Sequence, residues 1–138
     1  MPQGLDIRTA LIYDPVKEEL HQVEQALHNL SDKGKPHLSK LLDYVLDAHG
    51  KRVRPAMTLL SAKVHPHDHN LPIIMATAVE LLHVATLIHD DTVDGATLRR
   101  GQPTISSLWN KDTAIVVGDY VFAKSATLVC DTGNIRVV

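Results

Sequence analysis

Apolar residues recur at helical spacing in the first third of the chain. Two stripes repeat at offsets of three and four residues, which is typical of a helix that buries one face. They comprise Val16, Leu20, Val23, Leu27 and Leu30, and then Leu38, Leu41, Leu42, Val45 and Leu46. Asp14-Pro15 predicts where the first helix begins and Gly50 where the second ends, because aspartate and proline suit a first turn and glycine follows a last one. The polar segment 31–36 separates the two helices.

Three further helices are predicted, each with its own start signal. They span about 56–64, 71–93 and 112–130. Pro55 opens the first, and Asn70 and Asp112 are the predicted caps of the other two. The helix 71–93 is the most apolar, and its β-branched residues do not alternate as a strand requires. Polar segments at 65–70 and 101–103 predict loops. We therefore predict an all-α fold.

Composition limits the class of protein. The 138 residues are 44% hydrophobic and 22% charged, which is typical of a soluble globular chain. A net charge of −2 provides no broad positive field, so we expect no nucleic-acid partner. The longest uncharged apolar run, 70–79, is about half of the ~20 residues that cross a bilayer, so we expect no transmembrane segment.

Two features indicate the compartment. Cys130 is the only cysteine, so no disulfide forms within the chain. Residues 1–8 lack the basic start and apolar stretch of a secretory signal. We expect a cytoplasmic protein.

Three carboxylates, Asp90, Asp91 and Asp94, end the apolar helix 71–93. Asp90 and Asp94 lie one helical turn apart, where like charges repel, and anions are disfavoured at a helix C-terminus. A divalent cation removes both penalties, and carboxylate oxygens suit Mg²⁺, which completes its shell with water and phosphate oxygens. The alternative is a solvated acidic helix end.

Helical phase extends this cluster into a stripe. His83, Thr86, Asp90 and Asp94 fall within ~80° of arc on a helix that is otherwise apolar. We expect this polar stripe to line a cavity. His83 is then either a ligand-binding residue or a core histidine.

Two basic clusters accompany the aspartates. Lys51, Arg52 and Arg54 directly precede a helix start, where free amide groups attract anions, and Arg99 and Arg100 follow the aspartates. Guanidinium groups bind phosphate oxygens in pairs. Each cluster alone is consistent with a solvated patch, but the three clusters together predict Mg²⁺-assisted diphosphate chemistry.

These motifs resemble the trans-isoprenyl diphosphate synthases, also called polyprenyl synthetases. The similarity runs from about Leu38 to the end of the chain. The stretches that match are GKRVRP at 50–55, VELLH at 79–83, IHDDTVD at 88–94, LRRGQPT at 98–104 and, more weakly, GDY at 118–120.

The resemblance implies a fold, a reaction and site residues. The fold is the isoprenoid-synthase helical bundle, and the reaction joins isopentenyl diphosphate to an allylic diphosphate, typically in a homodimer. The catalytic carboxylates are Asp90 and Asp94, which bind Mg²⁺, and Asp91, which accepts hydrogen bonds; Arg99 contacts the allylic diphosphate. The diphosphate of isopentenyl diphosphate is assigned to Lys51, Arg54, His83 and Arg100.

The resemblance also bears on product length. The residues four and five before the first aspartate limit how deep the growing chain passes, and here they are Thr86 and Ala85. Both side chains are small, which is similar to medium- and long-chain members. We expect a product longer than geranylgeranyl diphosphate, and we expect Ala85→Phe to shorten it.

Members of this family have a second aspartate-rich motif on a later helix, whereas this sequence has no other Asp-Asp pair. We therefore expect residues 1–138 to form the N-terminal part of a single polyprenyl synthetase domain, inactive by itself. Exposed apolar faces should then make the isolated chain associate.

Other classes stay open. One is a non-catalytic or half-site subunit of a heteromeric prenyl synthase, although a purely structural partner has no use for the aspartates. Another is an all-α metal-dependent phosphohydrolase with ligands from His83, His89, Asp90 and Asp119, and a third is a terpene cyclase. A transition-metal site at His65, His67 and His69 is a further alternative to a polar loop.

Overall fold

A computed structural model describes residues 7–30, 35–47 and 50–138. Three stretches lie outside the described residues. They are 1–6, most of the segment said to lack a secretory signal, 31–34 of the polar break, and 48–49 before Gly50. The helices are α1 (Ile7–Tyr13), α2 (Lys17–Asn29), α3 (Pro36–Leu46), α4 (Val53–Ala62), α5 (Leu71–Asp94), α6 (Ile105–Leu108) and α7 (Lys111–Asp131). Two strands, β1 (Leu98–Arg99) and β2 (Gln102–Pro103), form a hairpin. The all-α prediction is confirmed.

Helix α5 lies at the centre and packs against α7, α4 and α2. It is apolar on several faces, as a helix with neighbours on several sides must be. The fully buried side chains come from successive elements and include Val23, Leu27, Leu42, Leu59, Leu81 and Val121. The predicted stripes of the first two helices therefore form one core with α5.

Two helix starts predicted at a proline differ from the observed ones. The first helical segment begins at Ile7, and Asp14–Val16 form a 3-10 turn between α1 and α2. Helix α4 begins at Val53, so Pro55 lies within its first turn and does not open it. Proline is tolerated there because the first amide groups of a helix have no partner within the helix.

Two predicted caps are also different. Asn70 makes no side-chain cap of α5; its backbone amide donates to Asp68 Oδ1 at 2.8 Å. Helix α7 is capped by Asn110, whose Oδ1 accepts from the Thr113 amide at 2.7 Å, and Asp112 follows in the first turn.

The segment after α5 forms a small hairpin in place of a plain loop. Leu98 pairs with Pro103 and Arg99 with Gln102. Arg100 and Gly101 at its tip have φ of 52° and 78°, the left-handed conformation that two-residue hairpin turns require. The hairpin folds back onto the end of α5 and so brings the second basic cluster beside the aspartates. Short α6, capped by Thr104, was not predicted.

Two helices, α5 and α7, are long and apolar enough to cross a membrane by length and composition. The uncharged run at 70–79 therefore covers only part of the apolar length of α5. Just over half of the apolar window of α5 is buried within the bundle, as in the core helix of a globular protein, whereas most of that of α7 is not. The absence of a transmembrane segment stays a prediction.

Candidate functional site

A cavity of about 960 Å³ opens between α3, the start of α4, α5 and the hairpin. Its polar lining includes every residue that the sequence assigned to diphosphate binding, namely Lys51, Arg54, His83, Arg99 and Arg100, together with Asp91. Its apolar lining includes Tyr44, Val84, Leu87, Ile88 and Ile105. The fold thus gathers cations from two distant stretches of sequence over an apolar floor.

Arg52 is not one of these free cations. It is buried, with a left-handed backbone at φ 49°. Its Nε and Nη2 donate to Glu24 at 2.5 and 3.2 Å, its Nη1 donates to Glu80 at 2.9 Å, and Nη2 also donates to the Leu46 carbonyl at 3.0 Å. Burial alone lowers the pKa of Arg52, but the hydrogen bonds and charges of both glutamates outweigh it and the pKa is raised. Of the three predicted cations, Lys51 and Arg54 therefore remain to bind a ligand.

His83 is half-buried on α5 and lines the cavity. Burial lowers the pKa of His83, and the charges of Arg54, Arg100 and Arg99 lower it further, while Glu80 acts in the opposite direction. The imidazole is therefore neutral at pH 7 and meets a ligand as a hydrogen-bonding group.

Asp91 and Arg99 form a bidentate pair at the inner end of the hairpin. Arg99 Nε and Nη2 donate to the two carboxylate oxygens of Asp91 at 2.7 and 2.8 Å. The hydrogen bond with Asp91 raises the pKa of Arg99, and the charges of Asp90 and Asp94 add to the effect. Asp91 thus holds Arg99 at the cavity by accepting two hydrogen bonds.

The residues of the predicted polar stripe on α5 lie in two different surroundings. His83 lines the cavity, whereas Thr86, Asp90 and Asp94 lie on an exposed face of α5, so the stripe does not line one enclosed cavity among the described residues. The Thr86 hydroxyl donates to the His83 carbonyl at 2.7 Å. Ala85 is buried in the core.

Asp90 and Asp94 fit a cation by their chemistry. Both are exposed, and neither makes an ion pair within the described part of the chain. Within that part, no group of three or more His, Cys, Asp or Glu side chains converges as a complete metal site. Two carboxylates a turn apart suit Mg²⁺, which takes one or two protein carboxylates and fills its shell from substrate and water.

His89 packs onto α7 where the sequence has Gly118-Asp119. Its Nε2 lies 3.3 Å from the Ile115 carbonyl oxygen and 3.4 Å from Asp119 Oδ1. A Cβ on Gly118 would lie 2.2 Å from His89 Nε2, so a larger residue there would displace the ring from this contact. This contact gives the weak GDY match a packing role.

The proposed alternative metal sites are not assembled in the described residues. Of the phosphohydrolase set, His89 meets Asp119 of α7 while His83 lines the cavity, so no three of its members form a metal group. In the loop that follows α4, His67 Nδ1 lies 2.7 Å from the His65 carbonyl oxygen, and the exposed histidines there form no metal group.

Sequence reasoning missed Glu80, which is buried and lines the cavity. The signal was present, because Glu80 is the single charged residue between Leu71 and Ile88. A charge in so apolar a helix is retained only when it is paired.

Comparison with known proteins places the chain among related sequences. The family model described as polyprenyl synthetase matches residues 35–138. The chain is 38% identical to heptaprenyl diphosphate synthase component 2 of Geobacillus stearothermophilus, over 91% of this chain and 39% of that protein. It is 36% identical to nonaprenyl diphosphate synthase of Mycobacterium tuberculosis, over 94% of this chain and 39% of that protein.

Solved structures show the same likeness. A decaprenyl diphosphate synthase from Rhodobacter capsulatus superposes with a TM-score of 0.85 at 35% identity, over 92% of this chain and 39% of that one. A polyprenyl synthase from Caulobacter crescentus, complexed with calcium and isoprenyl diphosphate, superposes with a TM-score of 0.84 at 30% identity, over 91% and 38%. The fold is that of isoprenoid synthases, and the chain spans about two-fifths of the length of these relatives.

Proposed function

The chain belongs to the polyprenyl synthetase family, and we propose that it carries the part of a prenyltransferase that binds isopentenyl diphosphate and an allylic diphosphate. The observation that carries this proposal is the cavity in which Lys51, Arg54, Arg100 and neutral His83 face Arg99, held by Asp91. Four permanent positive charges over an apolar floor suit an anionic head group with a hydrocarbon tail.

The charges divide between the two substrates. We assign the diphosphate of isopentenyl diphosphate to Lys51, Arg54, His83 and Arg100. Arg99, fixed by two hydrogen bonds to Asp91, is assigned to the allylic diphosphate. Guanidinium groups held in this way bind phosphate oxygens without further ordering of the side chain.

In the reaction, the bond between the allylic carbon and its diphosphate breaks, and the double bond of isopentenyl diphosphate supplies the electrons of the new carbon–carbon bond. Loss of a proton, to the released pyrophosphate, restores a double bond. The cations stabilise the negative charge that develops on the leaving diphosphate. Asp90 and Asp94 are the residues that hold Mg²⁺, which supplies further charge neutralisation when bound.

We propose a medium- or long-chain product, longer than geranylgeranyl diphosphate. The similarity to heptaprenyl and nonaprenyl synthases supports this proposal. The small side chain of Thr86, exposed on α5 one turn before Asp90, is in keeping with a path open to a growing chain. Ala85 is buried in the core, and its part in chain length stays a prediction.

A second candidate is a subunit of a heteromeric synthase. The observation that favours it is the similarity to proteins named component 2 of a heptaprenyl diphosphate synthase. The aspartates and the cation-lined cavity favour a catalytic subunit over a purely structural one. The alternative to a heteromer is the homodimer, and the mass of the native assembly distinguishes them.

Prenyl transfer is tested with labelled isopentenyl diphosphate, an allylic diphosphate and Mg²⁺, using the full protein. We expect label in a longer prenyl diphosphate, together with released pyrophosphate. Release of inorganic phosphate from a nucleotide without prenyl transfer supports a phosphohydrolase instead. Cyclic hydrocarbon from the allylic substrate alone supports a terpene cyclase. Transfer that requires a second, different polypeptide supports the heteromeric subunit.

A further inference from the structure

A buried ion pair lies at the wall of the diphosphate cavity. Arg52 and Glu80 are 8% and 5% exposed, and Arg52 Nη1 donates to Glu80 Oε1 at 2.9 Å. Both residues border the cavity, in which the charged groups assigned to substrate binding are all positive. The other carboxylates of the lining are Asp47 and Asp91, and Asp91 is paired with Arg99. A carboxylate in this wall repels an incoming diphosphate unless a cation cancels it.

The charge of Glu80 reaches the substrate-binding groups. A Cβ on Gly50 would lie 3.9 Å from Glu80 Oε1 and 3.7 Å from Arg100 Nη1, so the two side chains border the same backbone. Glu80 also acts to raise the pKa of His83 against the effects of burial and of the arginines. An uncancelled Glu80 therefore offsets part of the positive field that a diphosphate meets.

Arg52 is fixed for this task by its other contacts. Two hydrogen bonds to Glu24 and one to the Leu46 carbonyl hold the guanidinium between α2 and the end of α3. Four of its five N–H donors are used in these contacts and the one with Glu80, so Arg52 acts mainly on its protein neighbours.

We propose that Arg52, which pairs with Glu24 outside the cavity lining and with Glu80 within it, is a positioning residue that offsets the charge of Glu80 so that the cavity accepts a diphosphate. This inference rests on the proposed function, since it requires the cavity to bind diphosphate. It differs from a merely structural role, in which Arg52 shapes the backbone between Lys51 and Arg54. The two roles predict opposite results when Glu80 is neutralised as well.

The test is calorimetric titration of inorganic pyrophosphate, without metal, into the full protein. We expect Arg52→Gln to weaken binding about tenfold, because one compensating charge is lost. Glu80→Gln should bind no more weakly than the unmodified protein. The double variant Arg52→Gln, Glu80→Gln should recover binding to within about threefold of the unmodified protein, as a charge-coupled pair does in a double-mutant cycle.

The exposed Arg136 provides the matched control, because Arg136→Gln removes the same charge far along the chain from the cavity residues. It should change binding less than twofold by the weak reach of screened surface charges. If the double variant binds as weakly as Arg52→Gln, or if Arg52→Gln binds normally, the inference is overturned.

Arg52→Lys covers the case in which Arg52→Gln does not fold. Lysine keeps the charge beside Glu80 but loses the paired hydrogen bonds to Glu24. Binding within about threefold of the unmodified protein supports charge cancellation, and a loss as large as that of Lys51→Ala overturns it. If the unmodified protein does not bind pyrophosphate at all, the proposed function fails, and this inference fails with it.

Discussion

At the scale of single residues, the cavity combines cationic side chains with one histidine. Lys51 and Arg54 are two of the cationic side chains. His83 differs, because burial and then the neighbouring arginines lower its pKa. Protonation of His83 is therefore disfavoured in the folded protein, and binding at pH 7 depends on the arginines and lysine for charge.

This gives a prediction for stability against pH. The pKa of His83 is lower in the folded chain than its ordinary value of about 6.5 in the unfolded chain, so the unfolded chain takes up the proton first as the pH falls. The free energy of unfolding should therefore decrease below about pH 6.5, and it should decrease less in His83→Gln. Urea unfolding of both proteins between about pH 7.5 and 5.5 measures the difference.

The titration of the His83 ring followed by NMR gives the direct check. A midpoint below about 6.5 is expected, with an upward shift when pyrophosphate binds nearby. A midpoint at or above the ordinary value contradicts the account of His83.

Residue identity was predictable where chemistry and local spacing coincide. Lys51, Arg54 and Arg99 line the cavity as their motifs suggested. Arg52 was not separable from its neighbours, since its partners Glu24 and Glu80 lie 28 residues away in either direction. Only the tertiary fold decides which of several neighbouring cations pairs with a buried carboxylate.

At the scale of elements, the seat of His89 of α5 against α7 depends on the absence of a side chain at Gly118. Glycine inside a helix ordinarily costs about 0.5–1 kcal/mol relative to alanine, so Gly118→Ala should stabilise an isolated helix. Here the added methyl would lie 2.2 Å from His89 Nε2. We predict the opposite sign, a destabilisation of about 1–3 kcal/mol typical of overpacking, measured by thermal or urea unfolding.

The double variant His89→Ala, Gly118→Ala provides the control, because it removes the ring that the methyl would meet. Gly118→Ala should be neutral or stabilising in that background. A stabilising Gly118→Ala in the presence of His89 is inconsistent with the packing described.

Element boundaries were less predictable than the elements themselves. Apolar periodicity is a property of a whole helix, so the helices through 71–93 and 112–130 were placed to within a few residues. Start signals are ambiguous because proline is compatible with several positions in a first turn. The hairpin at 98–103 has strands of two residues each, which are too short to show alternating apolar and polar positions.

At the scale of the whole molecule, α5 carries the cavity on one face and exposed Thr86, Asp90 and Asp94 on another. The two proposed roles, diphosphate binding and control of product length, therefore fall on different faces of one helix. Periodicity predicted the stripe, but it could not show which neighbours cover it, since long-range packing decides that.

Thr86→Phe should shorten the prenyl product, because an aromatic ring fills the path one turn before Asp90. Product length is read by mass spectrometry after prenyl transfer with the full protein. Ser61→Phe, at an exposed position on α4 outside the cavity lining, is the matched control and should leave product length unchanged. An unchanged product in Thr86→Phe removes Thr86 from length control.

Ala85→Phe is a poor probe of the same question. Ala85 is 1% exposed within the core cluster, so a ring there overpacks the core. A destabilisation of about 1–3 kcal/mol is expected, and it confounds any change in product. Unfolding of the Ala85→Phe protein measures that cost.

The central claim is that the cavity binds the diphosphate of isopentenyl diphosphate, and calorimetric titration of that substrate tests it most directly. The full protein should bind, and Lys51→Ala and Arg54→Ala should each weaken binding about tenfold, the loss of one charged hydrogen-bonding group. Lys40→Ala, which removes an exposed lysine of α3 outside the cavity, should leave affinity within about twofold. Equal affinity for all four proteins, or no binding by any, would contradict the assignment of the cavity.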